Sequence, residues 1–173
     1  MLPNALTALR LVATPFIVMA ILGERYRTAL GVFLLAGITD GLDGVVARKL
    51  GGVTRLGAYL DPVADKVFVA AVYLALAAKS LAPWWLVGVV LIRDLLILAV
   101  AGALLAGGKA GNFQPSVWGK AATTVHVVTI VTLLVWKSSG WIWVEPLAVA
   151  LIWLAGAATA WSGGHYAWQV WRR

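Results

Sequence analysis

Asp40, Asp43, Asp61, Asp65 and Asp94 all fall inside long apolar segments, and they are five of only seven acidic residues in the chain. A carboxylate in hydrocarbon costs about 2.5–3.5 kcal/mol on insertion scales, so such residues are expected to face a polar cavity. Asp40, Asp43, Gly44 and Ala47 follow i, i+3, i+4, i+7 spacing and share one helical face. Gly57, Asp61 and Asp65 follow i, i+4, i+8 spacing along the next segment. Counted at about 1.5 Å per residue from the short basic turn GGVTR, the two pairs of carboxylates reach similar depths. Four carboxylates held together repel unless positive charge sits among them, and a pair of divalent cations resolves the conflict. All-oxygen ligation suits Mg²⁺ or Mn²⁺, and the chain has no Cys and no suitably clustered His for zinc. Two such ions about 3.5–4 Å apart commonly clamp the attacking and leaving oxygens of a phosphoryl-type displacement. No Walker loop is present, so the phosphate ester is expected to come from the membrane plane or its edge.

The elements that hold these residues follow from composition. The chain is 62% hydrophobic with ten Trp and 12% charged residues, and its mean hydropathy is +0.90. Those values point to a bilayer rather than to a soluble domain. Gly, Pro and charge punctuate six apolar spans, at about 4–22, 28–50, 56–79, 83–106, 117–137 and 143–170. The expected architecture is all-α: a polytopic bundle of six transmembrane helices forming one domain over residues 1–173. The run at residues 11–22 lacks a preceding basic region and a following cleavage site, and reads as a span rather than a signal peptide.

A net charge of +7 reads first as anchoring to anionic headgroups. The basic residues are dispersed among the spans, which argues against a nucleic-acid face. With the N-terminus in the cytoplasm, Arg48, Lys49, Arg55, Lys109, Lys120, Arg172 and Arg173 lie inside, against Arg25, Arg27, Lys79 and Lys137 outside. The positive-inside rule favours that orientation, and it places Trp84, Trp85, Trp141 and Trp143 at the outer boundary.

From Asp40 to Asp65 the residues read D-x2-D-G-x2-A-R-x8-G-x3-D-x3-D. This pattern resembles the signature of the CDP-alcohol phosphatidyltransferases at every fixed position. "LPNALTALR", "GAYLDPVADKV" and "GKAATT" extend the likeness along the chain. The resemblance implies a homodimeric six-helix membrane enzyme whose polar cavity opens at the cytoplasmic side. An alcohol hydroxyl would attack the lipid-bearing phosphorus of CDP-diacylglycerol and expel CMP. It implies that Asp40, Asp43 and Asp61 hold the two divalent ions, and that Asp65 completes the metal site and takes the acceptor's proton. Gly44, Ala47, Arg48 and Gly57 would line the donor pocket. Arg93, Lys120 and Arg55 are candidates for the acceptor.

Two branches of that family are similar to the chain. One uses glycerol 3-phosphate and makes phosphatidylglycerophosphate; the other uses phosphatidylglycerol and makes cardiolipin. The first usually carries an Arg about seven residues past the position of Asp94 and a Lys two after Lys120, and "DLLILAVAGA" and "KAATT" carry neither. A dianionic monoester calls for several cationic donors, so the missing pair leans toward phosphatidylglycerol. A bacterial plasma membrane is the expected location.

Blander readings compete. A cation transporter or channel could use the same acids without covalent chemistry, although conduction does not call for small residues beside them. A structural bundle could pair them with Arg48, Arg93 and Lys66. Adjacent residues point about 100° apart, so Arg93 and Asp94 are expected to serve different neighbours. His126 reads as a hydrogen-bonded residue of a helix interface, His165 as a second-choice site residue, and Pro62 as an interruption of the third helix.

Overall fold

Each of the six apolar spans forms one helix: α1 (Leu2–Leu22), α2 (Tyr26–Leu50), α3 (Arg55–Ala78), α4 (Trp84–Ala106), α5 (Val117–Ser139) and α6 (Val144–Trp171). The computed structural model describes the backbone of residues 2–50, 55–106 and 117–171, and the side chains of residues 10–39, 64–100, 102 and 118–168. No strand occurs among the described residues. Helix α3 continues through Pro62, contrary to the expected interruption; a proline carries no N–H for the ladder, but packed neighbours can sustain a helix through it.

The connections are tight, and α1 and α3 close in the same way. Arg25 N–H donates to Ala20 O at 2.8 Å and Leu81 N–H to Leu76 O at 2.9 Å. Between them Glu24 (φ 58°) and Ser80 (φ 56°) take the left-handed conformation that such caps require. The same ends are tied sideways. Lys79 Nζ donates to Glu24 Oε1 at 2.8 Å, and Arg27 Nε donates to the carbonyl of Ser138 at 3.2 Å. These contacts gather α1, α2, α3 and α5 at the end of the bundle away from the GGVTR turn.

The core lies along the middle of α3, where Phe68, Val72, Ala75 and Leu76 form a buried stripe against Ile17 and Ile21 of α1, Leu86 and Val90 of α4, and Ile130, Leu133 and Leu134 of α5. Helix α6 meets its neighbours through small residues, Ala148, Ala155, Thr159 and Ser162, which lets backbones approach closely. Gly156 is part of that fit: a Cβ there would lie 2.6 Å from the Trp85 ring, which stacks on Trp153 at 5.0 Å.

The outside is apolar. Phe16, Met19, Leu35, Ile38, Ile92, Leu95, Trp153 and Trp161 are all exposed, far beyond the scattered apolar residues of a soluble surface. Trp118–Ser139 and Val144–Trp168 are long and apolar enough to cross a membrane. The chain is a membrane protein.

Candidate active site

Four of the five in-span acidic residues are carried by α2 and α3, and Asp94 by α4. Phe33 of α2 stacks on Phe68 of α3 with ring centroids 5.4 Å apart, and this pins the register of two helices running in opposite directions. Asp40 lies seven residues beyond Phe33 and Asp61 seven before Phe68, so both backbone positions sit about 10 Å below the stacked rings. Asp65 lies about 5 Å below and Asp43 about 15 Å below on the same scale. The four positions therefore share a depth range of about two helical turns. The side chains of Asp40, Asp43, Gly44, Ala47, Arg48, Arg55, Gly57 and Asp61 lie outside the described residues.

Asp65 is described. Its side chain is 52% exposed and pairs with the guanidinium of Arg10 on α1. A second gauge agrees with this level. Glu24 and Lys79 meet at the far end, and Arg10 and Asp65 each lie fourteen residues from their member of that pair. The Arg10 partnership was not anticipated from sequence. A helical spacing rule relates residues on one helix and is blind to a partner on another. Lys79 also holds the exposed carboxyl of Glu24, in the turn after α1, below the usual carboxylate range through its hydrogen bond and charge.

Lys66, next to Asp65, turns to α4, where its Nζ donates to Asp94 Oδ1 at 2.6 Å. Arg93 Nη1 donates to the same oxygen at 2.7 Å, and Arg93 Nη2 donates to Ser162 Oγ of α6 at 3.1 Å. Arg93 and Asp94 are each only 11% exposed in their side chains. The two residues do serve different neighbours, Ser162 and Lys66, and they also bond each other, because the arginine side chain is long enough to fold back onto the adjacent carboxylate. Arg93 Nε is buried without a hydrogen-bond partner, as is Nδ1 of His165.

Lys120 is exposed on α5 and, with Thr123, Thr124, Val127 and Val128, lines an open cavity of about 370 Å³. Thr123 donates to Gly119 O at 3.0 Å and Thr124 to Lys120 O at 3.1 Å. Both hydroxyls have thereby spent their proton, leaving Lys120 as the lining's side-chain donor among the described residues. His126 is buried between Tyr73 OH (2.9 Å) and Thr159 Oγ1 (2.8 Å), the interface role read from sequence.

No group of three metal-ligating side chains gathers among the described residues; the side chains of Asp40, Asp43 and Asp61 lie outside them. What bears on the metal is the chemistry of the donor set: aspartates offer hard carboxylate oxygens, which fit a divalent oxygen-seeking ion.

The model of the CDP-alcohol phosphatidyltransferase family matches residues 1–161. The chain belongs to the CDP-alcohol phosphatidyltransferases. It is 34% identical to the CDP-diacylglycerol–glycerol-3-phosphate 3-phosphatidyltransferase of Shigella flexneri serotype 5b (strain 8401), over 95% of this chain and 92% of that protein. The enzyme of that name from Escherichia coli (strain K12) matches at the same identity and coverage, 34%, 95% and 92%. The crystal structure of Mycobacterium tuberculosis phosphatidylinositol phosphate synthase in apo form aligns with TM-score 0.66 and 21% identity, covering 98% of this chain and 88% of that one. At that identity the likeness establishes the fold. As a CDP-alcohol phosphatidyltransferase, the chain is a transferase of phospholipid synthesis.

Proposed function

We propose that this phosphatidyltransferase moves a phosphatidyl group from CDP-diacylglycerol to glycerol 3-phosphate, releasing CMP and forming phosphatidylglycerophosphate. The observation that carries the acceptor is the 34% identity, over 95% of the chain, to enzymes named for that reaction. It outweighs the lean toward phosphatidylglycerol drawn from two absent cations, because the likeness extends over nearly the whole molecule. The chain works as one domain spanning the bacterial plasma membrane six times, as a homodimer, with its polar cavity facing the cytoplasm.

Asp40, Asp43, Asp61 and Asp65 hold two divalent ions, Mg²⁺ or Mn²⁺, in keeping with the family's general use of divalent metals. Bound there, the ions neutralise the diphosphate and lower the barrier to displacement at phosphorus. Gly44, Ala47 and Gly57 leave room for the donor, and Arg48 meets its phosphate or base. Asp65 takes the proton from the acceptor hydroxyl, whose oxygen bonds to the lipid-bearing phosphorus as the bond to CMP breaks. Its half-exposed position suits that task. Arg93, Lys120 and Arg55 hold the acceptor phosphate.

The test is CMP release from CDP-diacylglycerol by purified protein with Mg²⁺ or Mn²⁺, offering glycerol 3-phosphate, phosphatidylglycerol, inositol phosphate and serine in turn. Release with glycerol 3-phosphate alone is expected, and chelation should stop it. Release with phosphatidylglycerol alone would move the enzyme to cardiolipin synthesis. Folded protein that releases CMP with none would overturn the enzymatic reading.

A further inference from the structure

Among the described residues, the cluster at the junction of α3, α4 and α6 is not electrically closed: Lys66 and Arg93 bring two positive charges and Asp94 one negative, a surplus of one positive charge. Both cations share a single carboxylate oxygen, Oδ1. Buried surplus charge is costly unless something of opposite sign completes it. Among the described residues, Arg93 Nε and His165 Nδ1 are also buried without partners. His165 lies one helical turn beyond Ser162, the residue that accepts from Arg93, and so continues the same stripe of α6. Buried polar atoms are almost always satisfied, and an exception calls for a cause.

We infer that this cluster is an oxyanion site that takes the phosphate of the acceptor, with His165 as a direct ligand and Asp94 and Ser162 as positioning residues for Arg93. The inference rests on the acceptor reading above and assigns roles to three residues which that reading leaves idle. Asp94 and Ser162 occupy the two terminal nitrogens of the guanidinium and fix its plane, so the remaining Nε–H stays aimed in one direction. A fixed donor loses less entropy on binding than a mobile one. His165 adds a hydrogen-bonding ring nitrogen from the facing helix. Glycerol 3-phosphate and phosphatidylglycerol both present the required phosphate oxygens, and their kinetics distinguish them.

Ser162→Ala removes one anchor of Arg93 without adding bulk, and His165→Phe keeps a ring beside Trp168 while removing both nitrogens. In the full-length protein each is expected to raise KM for glycerol 3-phosphate about five- to tenfold, the size of one ordinary net hydrogen bond. The kcat and the KM for CDP-diacylglycerol should stay within about twofold, since neither contact touches the donor. Asp94→Asn should show a larger defect of the same kind; if it does not fold, the other two variants carry the test. Unchanged acceptor KM in both folded variants, or a donor KM rising in step, overturns the inference. Binding without turnover separates it from the acceptor reading. Inorganic phosphate, but not glycerol at equal concentration, should raise the melting temperature of the wild type, and the Ser162→Ala/His165→Phe double variant should lose that response. Should the wild type use only phosphatidylglycerol while phosphate still stabilises it in this way, the acceptor reading falls and the oxyanion site stands. An equal response in the double variant removes the site, whichever acceptor is used.

Discussion

Two buried polar clusters lie among these helices, and they differ in how completely they are satisfied. Around His126 the donors and acceptors balance. Thr159 gives its only proton to Ala155 O at 2.6 Å, so His126 Nε2 must be the donor to Thr159, and Nδ1 accepts from Tyr73 OH. Every polar side-chain atom of that trio has a partner and none needs to carry charge. Around Asp94 the count fails twice, in charge and in the unpaired nitrogens. A closed network stiffens a bundle and offers a ligand nothing, whereas an open one of similar burial is a receptor.

Experiments can break or sharpen that contrast. The largest effect belongs to the residue beside the open cluster: Asp65→Asn should cut turnover by about 10³-fold or more while CDP-diacylglycerol still binds. Steady-state kinetics with a separate donor-binding measurement checks both halves, and retained activity would remove Asp65 from the role of base. His126→Ala should act in the opposite way. It strands the Tyr73 hydroxyl and leaves a hole, costing about 2–4 kcal/mol of stability with both KM values unchanged. A denaturation midpoint beside the kinetics tests this, and a shifted acceptor KM would erase the distinction between the clusters. Gly156→Ala should cost about 1–3 kcal/mol through the collision with Trp85, again without a kinetic signature. Lys66→Met removes the cluster's surplus charge, leaving a neutral Arg93–Asp94 pair; the acceptor KM should rise about threefold while stability holds or improves. Smallest of all is Glu24→Gln. Because the carboxyl of Glu24 lies below its ordinary range in the folded chain, its contribution is present above the unfolded value and fades as pH falls through the folded one. Full solvent exposure leaves that contribution too weak to move the melting temperature measurably at neutral pH.

Much of the fold was legible in the sequence because each connection carries its own signal. Charge at Glu24–Arg25, Pro83 and the Ser138–Gly140 turn break the apolar periods, and the observed helix ends fall within a few residues of the expected ones. That Asp40, Asp43, Asp61 and Asp65 are carried by two successive helices was legible from the apolar spans. Contacts between helices were not. Arg10 reaching Asp65, Ser162 reaching Arg93 and Tyr73 reaching His126 join residues distant in the chain, and hydroxyls within apolar helices leave no periodic mark. The added bond from Arg93 back to Asp94 was missed because a rule for where side chains start does not say where a long one ends.

The stacked rings of Phe33 and Phe68 carry a consequence for how such a chain can vary in length. Inserting one residue between Phe68 and Asp61 would swing that carboxylate about 100° around its axis and shift it about 1.5 Å along it. The same insertion on the far side of the rings, toward Lys79, would leave the aspartates undisturbed. Tolerance to insertions should therefore be lopsided along α3, with the aromatic pair marking where it changes.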